Sequence, residues 1–395
     1  MSRGRAFADT IERMPDTPSP SRDAALHIML CCGARPNFMK IASLLRAFRA
    51  SPRVQTRLVH TGQHFDDNMS RRFFDDLQLP LPDVNLGCTD PGHAGQTADI
   101  MQRFEPIVES VRPDWLVVVG DVTSTLACAL VAAKLAVPIA HVEAGLRSFD
   151  RSMPEEINRL LTDRLSDLLF VTEPAGMKNL AHEGIPADRC HLVGDTMADT
   201  LLANLPRARL SDVCRRLGVA DGPYVVATIH RPANVDNAES LAQIARGIGR
   251  VARTWPVLFP VHPRTRRRLE EFGVDRDLAT SPGVRCVEPL GYLDFLCLLS
   301  SAALVMTDSG GIQEETTILG VPCLTLRETT ERPYTLQDGS NRLVKPLEDA
   351  IAAAFEDVRR SPRAARLSNP LADGRAGERI ARIIVEISQA GLSKQ

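Results

Sequence analysis

The sequence has no excess of charge of either sign and no long apolar run. Its 47 Lys and Arg residues nearly balance 49 Asp and Glu residues, for a formal net charge of −2. This balance excludes nucleic acid and a membrane surface as the main partner. No apolar run reaches the ~18 residues that a membrane span requires. Residues 1–25 lack the apolar segment of a signal peptide and are expected to form a disordered tail, so we expect a cytoplasmic protein.

The sequence also lacks the short motifs of several common protein classes. None of its nine cysteines stands in a C-x-x-C pair, which argues against zinc ribbons and redox motifs and suits free thiols in a reducing compartment. Neither a Walker A loop nor a G-x-G-x-x-G fingerprint is present. Their absence argues against a P-loop NTPase and a standard dehydrogenase.

Short apolar runs alternate with amphipathic stretches along the 395 residues. Runs such as LHIMLCCG and WLVVVGD are apolar throughout, which is typical of strands buried on both faces of a parallel sheet. Helical patterns between them predict an α/β fold with two doubly wound halves. We predict a tail over 1–25, a first Rossmann-like domain over 26–204, a second, nucleotide-binding one over 205–370, and a C-terminal helix over 371–395 that packs back on the first domain.

Polar residues follow directly after several predicted strands. Ligands of open parallel sheets bind at the carboxyl ends of the strands. These residues are therefore candidates for a site in the cleft between the two halves. They are Arg35, Asp121, Glu143, His230 and Ser309.

Several of the polar residues also have plain structural explanations. Asp121 could be the N-cap of the next helix, worth only ~1 kcal/mol, and His230 could be a structural histidine. His141 and Glu143 could bind a metal at their strand end, but a third ligand at regular spacing is lacking. Glu156 is explained by a favourable position in the first turn of a helix.

The segment TDSGG, over residues 307–311, favours phosphate binding. Its small residues let the backbone approach a phosphate, the following helix points its positive end at it, and Ser309 can donate a hydroxyl. Glu314 or Glu315 could accept hydrogen bonds from ribose, and Arg332 could supply positive charge. The residues alone thus indicate a nucleotide diphosphate held by the second half and presented to carboxylates of the first.

Together these motifs resemble the non-hydrolysing UDP-N-acetylglucosamine 2-epimerases, a family with the GT-B fold of two Rossmann-like domains. The resemblance covers nearly the whole chain, from Leu26 to Ile387. It rests on the order and spacing of the segments GARPNFMK, HTGQHFD, VVGDVTST, HVEAGLRS, MPEEINR, TIHRPANVDN, PVHPRTR, PLGYLDF, TDSGGIQEE and ERPYTLQDGSNRLV.

The resemblance implies an inversion at C2 of UDP-N-acetylglucosamine (UDP-GlcNAc) to give UDP-N-acetylmannosamine (UDP-ManNAc), without a cofactor or a metal. UDP is eliminated across C1–C2, leaving 2-acetamidoglucal, and is added back after reprotonation on the other face, which needs carboxylates as acid and base. The catalytic residues of the family match Asp121, Glu143, Glu155 and His230. Its UDP-binding residues match Arg35, Lys40, Phe295, Ser309, Gly310, Gly311, Glu315 and Arg332. The resemblance also implies a homodimer that supplies surface polysaccharide precursors.

The chain departs from the usual family pattern in GARP, where most members have G-T-R-P. Relatives that act on UDP-diacetamido-uronic acids also carry G-A-R-P, so that substrate stays open. Those relatives tend to lose the Arg-Pro of TERP, which is intact here as Arg332-Pro333 and favours UDP-GlcNAc. Three further functions compete with this one: a GT-B glycosyltransferase, a hydrolysing epimerase and a catalytically silent nucleotide-sugar sensor. The three matching acids and the intact SGGIQEE argue against them.

A second departure concerns activation. Many bacterial members bind a second UDP-GlcNAc as an activator, and the resemblance implies a site for it at Gln63, His64 and His262. Those members carry Q-H-R-x-M and H-R-R-E where this chain has QHFD and HRPA. Two arginines are lost and Asp66 is gained, so we predict weak activator binding or none.

Overall fold

A computed structural model of the protein describes residues 25–33, 35–62, 74–88, 90, 92–337, 340–360 and 371–392. Within these residues the chain forms two parallel sheets whose strands are separated by helices. The prediction of an α/β fold with two doubly wound halves is confirmed. The domain boundaries remain a prediction.

The first sheet has seven parallel strands. They are β1 (Leu26–Cys32), β2 (Val54–His60), β3 (Val84–Asn85), β4 (Trp115–Val119), β5 (Ile139–Ala144), β6 (Leu168–Val171) and β7 (Cys190–Leu192). Their order across the sheet is β3-β2-β1-β4-β5-β6-β7. The helices of this half are α1 (Arg35–Arg49), α2 (His93–Val111), α3 (Thr123–Lys134), α4 (Pro154–Leu165), α5 (Pro174–His182), α6 (Thr196–Ala208) and α7 (Val213–Arg216).

The second sheet has six parallel strands in the order β10-β9-β8-β11-β12-β13. They are β8 (Val225–Thr228), β9 (Val257–Pro260), β10 (Val284–Val287), β11 (Leu304–Thr307), β12 (Cys323–Thr325) and β13 (Asn341–Leu343). Its helices are α8 (Pro232–Val235), α9 (Ala238–Ala252), α10 (Pro263–Phe272), α11 (Asp275–Thr280), α12 (Tyr292–Ser301), α13 (Gly310–Leu319), α14 (Tyr334–Gln337) and α15 (Glu348–Arg360). The last helix of the chain is α16 (Ala376–Leu392).

Both faces of each central strand are buried, which explains the continuous apolar runs. In β1, Ile28 and Leu30 belong to one core while Met29 and Cys31 belong to another, because successive side chains of a strand point to opposite faces. The core that contains Ile28 continues to Val226 of β8 in the second sheet. The two halves therefore share one packed layer.

Strand order reverses direction between β1 and β4 in the first sheet and between β8 and β11 in the second. These are the topological switch points of doubly wound sheets, where ligands bind beyond the carboxyl ends of the strands. The residues that follow these four strands are thus expected to form the site.

Helix α16 packs against α1 and α6 of the first half. Asp199 of α6 accepts hydrogen bonds from the backbone N–H groups of Ala376 (3.0 Å) and Gly377 (2.7 Å) and from Ser43 Oγ of α1 (2.6 Å). A carboxylate thus satisfies the free N–H groups at the start of α16. Among the residues described above, none of the helices combines the length and apolar character that a membrane span requires.

Candidate active site

The first part of the site is the turn after β4. Gly120 has a φ of +67°, and a Cβ atom there would lie 2.8 Å from Lys40 Nζ and 3.4 Å from Glu143 Oε2. Only glycine lets these two groups approach the backbone so closely. Lys40 and Glu143 form a buried ion pair beside the turn, and burial lowers the pKa of Lys40.

Glu143 lies in β5 and has an unusual backbone conformation. It is 5% exposed, and its φ of +73° falls in the left-handed region that residues other than glycine rarely adopt. The pairing of β5 with β6 shifts register between Val142 and Ala144. Such strain persists only where the surroundings fix it, and it concentrates at functional sites. The conformation therefore marks Glu143 as a residue whose side-chain direction matters.

Arg332 connects the two halves at this point. Its Nη2 donates to Glu143 Oε1 of the first half at 2.7 Å. Its Nε lies 2.7 Å from Glu314 Oε1, and its Nη1 donates to Glu331 Oε1 at 3.0 Å. Burial opposes the guanidinium charge, but Glu314 and Glu331 outweigh it and hold the pKa of Arg332 above its ordinary value. One buried guanidinium thus faces three carboxylates.

Asp121 follows Gly120 and is held by α4. Arg159 Nη1 donates to the Asp121 carboxylate, and Asn158 Nδ2 donates to the Asp121 carbonyl oxygen at 2.8 Å. The N-cap of α3 is Val122, without a side-chain cap bond. The interpretation of Asp121 as an N-cap is therefore wrong, because its carboxylate is paired with a buried arginine instead.

The two neighbouring acids of α4 have different environments. Glu155 is exposed and shares a helix face with residues three and four positions later, Asn158 and Arg159, which contact Asp121. Glu156 is 2% exposed and accepts hydrogen bonds from the backbone N–H of Ser148 (2.9 Å) and from Arg159 Nη2 (2.7 Å). Glu156 therefore anchors a loop and an arginine, which a favourable helix-end position alone does not explain.

His230 follows β8 and is fixed by Asp308, which follows β11. Its Nδ1 lies 3.0 Å from Asp308 Oδ1, and its backbone N–H donates to the same carboxylate at 3.1 Å. The backbone N–H of Arg231 also donates to Asp308, at 2.9 Å. Burial opposes ionisation, but the contacts with His230 outweigh it and hold the pKa of Asp308 below its ordinary value. The imidazole side chain itself is 41% exposed, so it is accessible from the cleft.

The segment after β11 places its small residues against the cationic groups. Ser309 is the N-cap of α13, and Gly310 and Gly311 are its first residues. A Cβ atom at Gly310 would lie 2.7 Å from Glu331 Oε1 and 3.0 Å from Arg332 Nη1. Only glycine lets the Glu331 and Arg332 side chains approach the start of this helix so closely.

Two further arginines reach Glu331. Arg231 Nη2 donates to Glu331 Oε1 at 3.2 Å, and Arg327 Nη2 donates to Oε2 at 2.7 Å. Burial opposes ionisation, yet Arg332 and Arg327 hold the pKa of Glu331 well below its ordinary value. With Arg332, three guanidinium groups thus surround one carboxylate. Sequence reasoning assigned no role to Arg231 and Arg327, although Arg231 directly follows His230.

The remaining predicted residues lie at the edges of this arrangement. Arg35 is the first residue of α1, directly beyond β1. Glu315 is buried in α13, and Phe295 is half-buried in the first turn of α12. His262 is the N-cap of α10, and its ring lies 5.8 Å from that of His230. Gln63, His64, Phe65 and Asp66 lie outside the described residues.

Known proteins carry a similar sequence over nearly the same length. Residues 46–385 match the family described as UDP-N-acetylglucosamine 2-epimerase. The UDP-N-acetylglucosamine 2-epimerase of Methanocaldococcus jannaschii is 41% identical over 364 residues, which cover 91% of this chain and 99% of that relative. The chain belongs to the UDP-N-acetylglucosamine 2-epimerase family. The resemblance inferred from the sequence motifs is confirmed.

Solved structures of UDP-N-acetylglucosamine 2-epimerases share the fold. The M. jannaschii protein in complex with UDP-GlcNAc and UDP has a TM-score of 0.85 at 40% identity and is covered completely by 91% of this chain. The Neisseria meningitidis protein bound to UDP-GlcNAc has a TM-score of 0.83 at 28% identity, with the same coverage. A UDP-2,3-diacetamido-2,3-dideoxy-D-glucuronate 2-epimerase of Pseudomonas aeruginosa is 40% identical over 331 residues, 82% of this chain and 90% of that relative. The GT-B-like arrangement of two Rossmann-like sheets is therefore that of the epimerase family.

In this member of the epimerase family, further acids follow β6 and β7. Glu173 is 4% exposed, and within the described part of the chain neither carboxyl oxygen has a hydrogen-bond partner. Burial and then Glu314 raise the pKa of Glu173 to about 7. The same two causes raise the pKa of Asp195, the N-cap of α6, to about 7. Sequence reasoning overlooked both, although each follows a strand as Asp121 does.

Glu173→Gln should stabilise the protein at pH 8.5 and leave it nearly unchanged at about pH 4. The pKa of Glu173 is about 7 in the folded protein against an ordinary value of 4.5. The protonated Glu173 side chain therefore contributes its full stabilisation to the wild type below pH 4.5. This stabilisation is lost as the pH rises through about 7, where the buried side chain becomes charged. The thermal midpoint, measured at both pH values, should rise by about 2 °C or more at pH 8.5.

The exposed Glu288→Gln variant is the matched control and should show no such pH-dependent difference, since its carboxylate is 82% exposed. Equal midpoints of Glu173→Gln and wild type at pH 8.5 would mean that Glu173 does not become a costly buried charge.

Proposed function

We propose that this protein interconverts UDP-GlcNAc and UDP-ManNAc by inversion at C2 without a cofactor. The observation that supports it most is the position of Asp121, Glu143 and His230 at the carboxyl ends of β4, β5 and β8, with Arg332 joining the halves. Family membership and relatives whose structures hold UDP-GlcNAc support the nucleotide sugar as the substrate.

The reaction that suits these groups is an elimination followed by an addition. A carboxylate among Asp121, Glu143 and Glu155 removes the C2 proton, the C1–O bond breaks, and UDP leaves with the electron pair. The 2-acetamidoglucal that remains is protonated at C2 on the opposite face by a second carboxyl group, and UDP adds back to C1. Acid–base groups of this kind contribute ~10²–10⁴-fold each. Two groups on opposite faces are what an inversion requires.

The departing diphosphate gains negative charge, and the cationic groups of the site can stabilise it. The imidazolium form of His230, oriented by Asp308 through Nδ1, can donate to the diphosphate from Nε2. Arg231, Arg327 and Arg332 supply permanent positive charge near the first turn of α13. Preorganised donors act at the moment when charge develops and need not reorganise.

The buried acids favour a neutral sugar over a uronic acid. Glu143, Glu173 and Glu314 are buried. After burial itself, Glu314 raises the pKa of Glu173 and of Asp195, so these acids already lie close to one another. A substrate carboxylate at C6 would add a further like charge in a region of low dielectric. We therefore favour UDP-GlcNAc over the UDP-diacetamido-uronic acid named for one relative.

A product analysis tests this function. The protein is incubated with UDP-GlcNAc and, separately, with the UDP-diacetamido-glucuronic acid, and the products are followed by proton and phosphorus NMR. UDP-ManNAc with its diphosphate ester intact is the expected product. Free N-acetylmannosamine and UDP would identify a hydrolysing epimerase, turnover of the uronic acid alone would identify the alternative substrate, and binding without turnover would identify a sensor.

We also propose that UDP-GlcNAc activates this protein only weakly. We propose further that the enzyme is a homodimer and that it supplies precursors of a surface polysaccharide. A pocket that loses two arginines loses contacts worth ~1.5–3 kcal/mol each to a diphosphate. His262 lies beside His230 and alone cannot replace them. With UDP-ManNAc as the sole substrate, we expect hyperbolic kinetics without a lag. A strict requirement for added UDP-GlcNAc would contradict this prediction.

A further inference from the structure

A single buried carboxylate holds the backbone on both sides of Glu143. Asp163 of α4 is 1% exposed. Its Oδ1 lies 2.6 Å from His141 Nδ1, and its Oδ2 accepts a hydrogen bond from the backbone N–H of Gly145 at 3.1 Å. His141 and Gly145 stand two residues before and two residues after Glu143. The carboxylate therefore fixes both ends of the short segment in which Glu143 adopts its left-handed φ of +73°.

The same histidine reaches the turn that carries Asp121. His141 Nε2 lies 2.9 Å from the carbonyl oxygen of Gly120, and a carbonyl oxygen can only accept a hydrogen bond. Nε2 must therefore carry a proton and donate it. Gly120 directly precedes Asp121, so the imidazole links the end of β5 to the turn after β4. The ring is fully buried, which leaves these two contacts to fix its orientation.

The outer side of Asp163 is neutralised by a second ion pair. Arg147 Nη2 lies 2.7 Å from Asp163 Oδ2, and the same guanidinium binds both carboxyl oxygens of Glu183 at 2.7 Å. Burial opposes ionisation, but His141 and Arg147 hold the pKa of Asp163 below its ordinary value. Asp163 is thus an ionised acceptor toward His141, and Nδ1 donates to it, so that each ring nitrogen of His141 carries a proton. The interpretation of His141 as a metal ligand is wrong, since both ring nitrogens are occupied by these partners.

We propose that Asp163 and His141 are positioning residues for Glu143 and Asp121. They contact no atom that a substrate would present, because both are buried beneath the strand ends. Their contacts end on the backbone of Gly120, directly before Asp121, and of Gly145, two residues after Glu143. They account for a strained conformation that an ordinary buried ion pair would not require. This inference rests on the proposed epimerase function of the two acids.

Asp163→Asn tests the proposal in the full-length protein. The amide keeps the size of the carboxylate but turns one acceptor into a donor. This donor either opposes the N–H of Gly145 or faces Nδ1 of His141, where the ring must give up a proton and the charged contact is lost. A misplacement of about 1 Å costs roughly 10²-fold in rate, so we expect kcat to fall by about 10–100-fold. UDP affinity should change little, since Arg231, Arg327 and Arg332 lie on the second half and neither Asp163 nor His141 contacts them. The isotope effect with substrate deuterated at C2 should increase, because proton transfer becomes slower relative to the other steps.

Glu183→Gln is the matched control. It removes the far end of the same network but leaves Arg147 paired with Asp163, so kcat and the isotope effect should remain those of the wild type. His141→Gln, which can donate only from one amide group, is the second variant and should behave as Asp163→Asn does. Wild-type kcat in a folded Asp163→Asn protein would overturn the proposal. So would a fall in kcat with an equal fall in UDP affinity and an unchanged isotope effect, or the failure of both variants to fold.

A wild-type protein that binds UDP but turns over no substrate would refute the proposed function and not the positioning role. A crystal structure of Asp163→Asn then decides the role by itself. The proposal expects φ of Glu143 to leave the left-handed region. A variant in which Glu143 and the turn at Gly120 keep their wild-type conformation would overturn it.

Discussion

Glu143→Gln should lower the turnover of UDP-GlcNAc by about 10²-fold or more, the scale of removing an acid–base group. The amide has nearly the same shape, but it can neither take up the C2 proton nor deliver one. Asp121→Asn should have an effect of the same order for the same reason. Initial rates of UDP-ManNAc formation at saturating UDP-GlcNAc measure both effects.

The two variants should differ in stability. Glu143 is the partner of buried Lys40 and Arg332, so its neutralisation leaves buried cations less well paired and lowers the thermal midpoint. The Asp121 side chain is 33% exposed, and its loss should cost less. Rates are therefore compared well below the transition, with Glu288→Gln as a surface control that keeps full activity. Near-normal turnover in both variants would show that Asp121 and Glu143 are not the acid–base groups of the reaction.

Arg332→Met should open the cleft and weaken UDP binding by about 10-fold or more, since a charge-assisted hydrogen bond is worth ~1.5–3 kcal/mol. Without the guanidinium, Glu143 keeps Lys40, and Glu331 keeps Arg231 and Arg327. The carboxylate of Glu314, which is 2% exposed, loses the ion pair that it makes with Arg332. Titration calorimetry with UDP measures the affinity, and small-angle scattering of the unliganded protein should give a larger radius of gyration.

Arg332→Lys should not restore the wild-type behaviour, because a single ammonium cannot face three carboxylates in the geometry of a planar guanidinium. Arg342→Met is the matched control, since that arginine pairs with Asp357 at the surface, where both side chains are more than half exposed. Wild-type UDP affinity and radius of gyration in Arg332→Met would show that the contact between the halves does not hold the cleft.

The fold could be predicted in outline because its strands are buried on both faces. The run WLVVV is apolar at every position and forms β4, and the alternation of such runs with helical patterns is enough to predict parallel sheets. The two-residue strand β3, Val84–Asn85, has no such signal, since pairing with β2 and not its own sequence makes it a strand. The packing of α16 on α1 depends on Asp199, whose distant partners no local pattern reveals.

The site could be predicted in part, because some of its residues stand at strand ends. Asp121 directly follows β4, and Glu143 lies at the end of β5. The carboxyl ends of parallel strands meet at one edge of a sheet, so position alone places these two acids at the same edge. Arg159 and Asp163 lie within α4, and charged residues are common in helices, so the sequence does not mark them. Only the packing of α4 against the strand ends gives them their partners. The contact between Glu143 and Arg332 joins residues 189 positions apart, across two sheets whose relative placement the sequence does not specify.

The proposed mechanism requires that the carboxylates at the ends of β4 and β5 exchange the C2 proton of the sugar. The decisive experiment is incubation of the wild-type protein with UDP-GlcNAc in D2O, followed by proton NMR and mass spectrometry of both UDP-sugars. We expect UDP-ManNAc to form with one deuterium at C2 and the UDP-GlcNAc pool to acquire deuterium at the same carbon. UDP-ManNAc without solvent deuterium, or no UDP-ManNAc at all, would contradict the mechanism.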